Sequence, residues 1–126
     1  MKRSWIGLGL LLVLLAVSLL ATWAMGQIHE PIAVLLQQAA ERTMLGDWDS
    51  ADRFFQSARE GWDSHAHLRA SLADHSPVEE IDALFAQLSV YCAAREEVAF
   101  SAGCMELSEK VTAVGEAHGL VWWNIL

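Results

Sequence analysis

Hydrophobic and polar positions are distributed differently in the two parts of the chain. From Ser4 to Ile28 no residue is charged, whereas from His29 onward apolar positions recur every three or four residues among polar ones. An apolar stretch of that length matches what an α-helix needs to cross the hydrocarbon core of a bilayer, so it reads as a transmembrane helix. The periodic remainder reads as amphipathic helices that bury one face each.

The first periodic stripe is Ile32, Leu35, Leu36 and Ala39, continuing the anchor through Pro31, which is placed to kink it, and ending at Gly46. Asp47, Trp48 and Asp49 open a second helix, with acidic residues where the helix dipole favours them. Its buried face is Trp48, Ala51, Phe55, Ala58 and Trp62. Ser76, Pro77 and Glu79 then give an N-cap, a proline at the first helical position and a closing capping box. The helix they start carries Ile81, Leu84, Phe85, Leu88, Tyr91 and Cys92 on one face. A break near residues 93–96 leads into a fourth helix, expected to stop at about Ala117 because Gly119 follows. The apolar tail from Leu120, with Trp122 and Trp123, is expected to fold back across the bundle and bury at least one indole.

Two prolines in 126 residues and no alternating run bounded by turns favour an all-α fold. The expected architecture is one N-terminal transmembrane helix over residues 1–28, then a small antiparallel helical-hairpin bundle of about four helices over residues 29–126.

Charge sets the expected topology. Lys2 and Arg3 precede the apolar stretch and no Lys or Arg follows until Arg42, so the positive-inside rule keeps the N-terminus in the cytoplasm and the bundle outside. Trp5 and Trp23 stand near the two ends, at headgroup level. A cleaved signal peptide competes with this reading, but its apolar core spans only about 7 to 15 residues. A buried globular helix is the third reading, and so short a chain has little material to cover one. Of eight Lys and Arg, six fall beyond the anchor against all sixteen Asp and Glu. That excess of acid argues against nucleic acid and anionic headgroups as partners, and suits solubility or a basic protein surface.

Candidate chemistry is sparse. His65 and His67 differ by about 200° around a helix and cannot meet on one ion, while Asp63 and His67 share a face as a surface pair. His75 lies beside Asp74, and His29 beside Glu30 stands at the membrane surface, where it would sense pH or be an ordinary interfacial histidine. Cys92 and Cys104 face a compartment that permits disulfides, but a turn near residues 93–96 puts them about 12 Å apart along the helices, beyond bridging distance. A turn nearer Val98 would allow the bond. Ser18 and Thr22 form a small-xxx-small pair that can support helix association in lipid. No nucleophile elbow, zinc-protease helix, phosphate loop or CxxC is present, so no enzyme activity, metal or cofactor is expected.

Two resemblances add to this. Gly46, Asp47, Trp48, Ala51, Phe55 and Ala58 resemble the turn and second helix of a tetratricopeptide hairpin, which implies local hairpin geometry without peptide binding. The basic start and single anchor, Trp62, the Asp74–His75 stretch before an acidic helix holding Ile81, and the final Asn124, Ile125 and Leu126 resemble a bacterial family of small membrane-anchored helical proteins, domain of unknown function 4363. This resemblance supports the topology and fold and implies no activity.

The expected function is that of a non-enzymatic accessory or scaffolding partner of another membrane or envelope protein, with Trp122, Trp123, Trp62 and His75 as candidate interaction residues. The alternative is an extracytoplasmic ligand or cation sensor using the histidines and carboxylates.

Overall fold

The computed structural model describes the backbone of residues 2–65 and 76–125 and, within these, all side chains except those of 21, 22, 25, 26, 76 and 117–125. Four helices account for almost all of it, and no strand occurs among the described residues. They are α1 (Lys2–Met44), α2 (Trp48–Ser64), α3 (Ser76–Ala93) and α4 (Glu97–Ile125). Pro31 lies inside α1, so the apolar N-terminal segment and the first bundle helix form one continuous element despite the missing N–H.

The chain runs up, down, up and down. Gly61 of α2 packs on Ile32 of α1, and Gly103 of α4 packs on Leu88 of α3. α4 lies antiparallel along α1, with Gly115 against His29. α2 meets α3 through Trp62 and Phe55, whose rings both lie near Phe85. The four helices therefore close a ring around one core in four-helix-bundle fashion.

Sequence periodicity explains which faces point inward. Ile32, Leu36 and Ala39 of α1 are buried, as are Ala51, Phe55, Ala58 and Trp62 of α2 and Ile81, Phe85 and Leu88 of α3. α4 contributes Phe100, Cys104, Leu107 and Val111. Burying each large side chain stabilises the fold by roughly 1.5–3 kcal/mol. Phe55 stands edge-on to Phe100 with ring centroids 5.4 Å apart, an arrangement aromatic pairs favour. Buried hydroxyls are satisfied within their own helices: Thr43 donates to the Ala39 carbonyl and Ser108 to that of Met105.

The two described turns, between α1 and α2 and between α3 and α4, are Schellman motifs. In the first, the Asp47 N–H donates to the Arg42 carbonyl and the Gly46 N–H to Thr43, with Gly46 at φ 77°. In the second, the Glu96 N–H donates to Tyr91 and the Arg95 N–H to Cys92, with Arg95 at φ 57°. Gly46 and Arg95 are thus equivalent, and the same interval relates Ile32 to Ile81, Leu36 to Phe85, Ala51 to Phe100 and Phe55 to Cys104, all buried. The bundle is built from two equivalent hairpins in which large and small side chains trade places.

Two expectations are corrected. α4 does not stop near Gly119 but remains helical to Ile125, so the tail does not fold back across the bundle. A glycine within a helix costs only about 1 kcal/mol relative to alanine, whereas reversing the chain would strand the final carbonyls of α4. His29 is not an exposed interfacial group: it is 3 % exposed, because it faces inward against Gly115 of α4.

Candidate functional site

The bundle has two distinct ends. At the end from which the apolar N-terminal segment of α1 leaves, His29 lies against Trp62, ring centroids 6.1 Å apart and nearly perpendicular. Trp62 is wholly buried, and its indole N–H donates to the Asp82 carboxylate at 2.6 Å. Trp62 therefore joins α1, α2 and α3 internally and offers no outer contact surface. Beyond this end, the segment Lys2–Leu20 is long and apolar enough to cross a membrane, and its side chains are almost all uncovered. Trp5 and Trp23 project from α1, 74 % and 65 % exposed.

At the opposite end, beside the two turns, Trp48, Asp49, Asp52 and Gln56 of α2 face Ser89 and Cys92 of α3 across a groove of about 310 Å³, with Arg95 at its rim. The Arg95 guanidinium lies 5.2 Å from the centre of the Trp48 ring, a cation–π contact that ties the second turn to the start of α2. Asp47 caps α2 by accepting from the Ser50 N–H, and its hydrogen bonds with Ser50 hold its carboxyl below the usual range. Met44, Leu45, Val90 and Val98 project into solvent around this end. An exposed apolar rim beside an acidic groove can take a partner surface with apolar and basic groups.

Neither cysteine is bonded. Cys104 is buried, and burial pushes its thiol up to about 12. Cys92 is half-buried and donates to the Asp52 carboxylate at 3.6 Å. Burial pushes this thiol up as well, and the neighbouring Asp52 charge adds to the shift. The thiolate is the reactive form, so both sites disfavour nucleophilic chemistry near neutral pH. Among the described residues no three His, Cys, Asp or Glu side chains come together as metal ligands.

The structure separates the candidate residues. His65 ends α2, with its Nδ1 2.9 Å from the Gly61 carbonyl oxygen. His67 and His75 lie outside the described residues. Trp122 and Trp123 fall on the last turns of α4, at the end of the bundle where His29 lies, but their side chains lie outside the described set. Sequence reasoning missed the groove and its Trp48–Arg95 contact. The available signal was the spacing shared by the two hairpins, hidden because arginine occupies the second left-handed position where glycine is usual.

No curated protein and no solved structure gives a significant match to the chain. The family model described as domain of unknown function (DUF4363) matches residues 22–125, from within the first half of α1 to the end of α4. A match over that share of the sequence, on a chain whose described residues are helical and begin with an apolar helix, makes this protein a member of the DUF4363 family.

Proposed function

We propose that the chain is a single-pass, non-enzymatic interaction protein that presents the turn end of its bundle to another membrane or envelope protein. The observation that carries this reading is the continuity of α1 from Lys2 to Met44. An apolar helix that crosses the bilayer and continues into the bundle holds the exposed rim of Met44, Leu45, Val90 and Val98 at a set height. That height is about 30 Å above the level of Trp23, from the rise per residue.

Lys2 and Arg3 keep the N-terminus cytoplasmic and the bundle outside in this reading. The acidic surface keeps the bundle away from anionic headgroups and favours a partner with basic groups beside an apolar patch. Raised thiol pKa values and the absence of a recognisable catalytic motif support a binding role over an enzymatic one.

A photo-crosslinking side chain placed at Leu45 or Val98 in the native cell tests the proposal. One recurrent membrane protein should be captured from both positions, and Met44→Glu should reduce its yield several-fold without lowering the amount of folded chain. Capture of nothing, or only of a second copy of the chain, would contradict the accessory role.

A further inference from the structure

α4 extends well past the bundle on the anchor side. Gly115 fixes the register of α4 against α1, since a Cβ there would lie 3.0 Å from the His29 Cβ. α4 then continues without a break to Ile125. Antiparallel helices of equal rise advance together, so residues 119–125 run beside α1 from about Met25 back to about Leu19. Val121 is thereby level with Trp23, and Trp122 and Trp123 follow one step deeper.

Two independent observations fit this placement. Ser18 is 2 % exposed, although Val17, Leu19 and Leu20 on either side are all more than half exposed. At that level one face of α1 is covered, and the register brings the end of α4 there. Secondly, no charged residue follows Glu116, and the sequence from Gly119 reads Gly-Leu-Val-Trp-Trp-Asn-Ile-Leu. Apolar residues around paired tryptophans have the composition of the membrane–water interface, where indole rings settle at headgroup level. Trp23, 65 % exposed at the same height, marks that level on α1.

We propose that residues 119–125 of α4 enter the outer leaflet beside the anchor, so that the bundle is seated on the membrane by two helices. The ligand is the headgroup and upper acyl region of the phospholipid bilayer. Recognition is apolar and aromatic, since no Lys or Arg follows Lys110, so binding does not depend on anionic lipid. Two points of seating restrain rotation about α1 and limit the tilt that Pro31 would otherwise permit.

The proposal rests on reading α1 as a membrane anchor, and one experiment tests the two separately. The unmodified full chain is reconstituted in phosphatidylcholine vesicles containing a phospholipid with a diazirine high on its acyl chain. After irradiation, the lipid adducts are mapped by mass spectrometry. Adducts in both 5–23 and 119–126, at least five-fold above those in 48–64 and unchanged when a third of the lipid is phosphatidylglycerol, are the expected result. Adducts in 5–23 without enrichment in 119–126 would overturn the seating of α4 and leave the anchor standing. Absence of enrichment in both segments would overturn the anchor itself, and the seating with it.

Discussion

The indole N–H of Trp62 and the carboxylate of Asp82 meet at 2.6 Å, joining the fully buried face of α2 to the solvent-facing side of α3. Hydrogen bonds to charged groups contribute roughly 1.5–3 kcal/mol. Asp82→Ala should therefore lower the melting temperature of the chain in detergent by roughly 6–24 °C, given about 4–8 °C per kcal/mol in a domain of this size. Asp82→Asn keeps an acceptor and should lose less than half as much. An unchanged melting temperature in Asp82→Ala would show that the bond contributes little.

Close approach of helices gives a second contrast, between two glycines. At Gly61 the nearest atom to an added methyl is the Ile32 Cγ1 at 3.3 Å, part of a side chain that can shift. At Gly115 the added methyl would meet His29 Cβ at 3.0 Å and Cγ at 3.2 Å, close to the α1 backbone. Alanine in either helix gains about 1 kcal/mol in helix propensity, whereas overpacking costs about 1–3 kcal/mol. Gly61→Ala should thus be neutral or slightly stabilising and Gly115→Ala destabilising by about 1 kcal/mol, as read by chemical unfolding of the two proteins.

The turn between α3 and α4 makes its own prediction. Arg95 adopts a left-handed conformation at φ 57°, which costs a non-glycine residue about 1–2 kcal/mol. Its contact with Trp48 returns about 0.5–1 kcal/mol. Arg95→Gly should therefore be neutral to stabilising, and Arg95→Ala, which keeps the strain and loses the contact, destabilising. The order of the two melting temperatures decides the matter.

Cys104 links stability to pH. Its thiol is raised to about 12 in the folded chain from an ordinary value of 9.0. Below pH 9 it is protonated in both states and contributes fully. As pH rises from 9 towards 12 the unfolded thiol ionises while the folded one does not, so stability is lost. Cys104→Ala should flatten the fall in unfolding free energy between pH 8 and 10.5, although it is less stable at pH 7 because it leaves a small void. In the native chain, a disulfide reagent at pH 8 should modify Cys92 before Cys104.

The helices were legible because their apolar residues recur at helical spacing and their ends carry local chemistry: Asp47 at an N-cap, Gly46 in a Schellman turn, Pro77 near a helix start. Gly119 carries the same local signal as Gly46, yet α4 runs through it. The difference is tertiary. Gly46 ends a helix at the rim, whereas Gly119 lies where α4 continues beside α1. His29 was misplaced for the same reason, since burial is set by the approach of Gly115 from a helix far along the chain. The groove at the turn end was invisible because its walls come from α2 and α3, whose pairing is long-range. The buried roles of Phe55, Trp62 and Phe85 were readable from periodicity alone.

Protease protection in right-side-out membrane vesicles, using the full chain with different epitopes at its two ends, tests most directly whether one N-terminal helix holds the bundle outside. The account predicts that external protease removes the C-terminal epitope and leaves a short membrane-bound fragment bearing the N-terminal epitope. A C-terminal epitope that survives until the vesicles are opened, or a bundle released from the membrane without its N-terminal epitope before any protease is added, would contradict it.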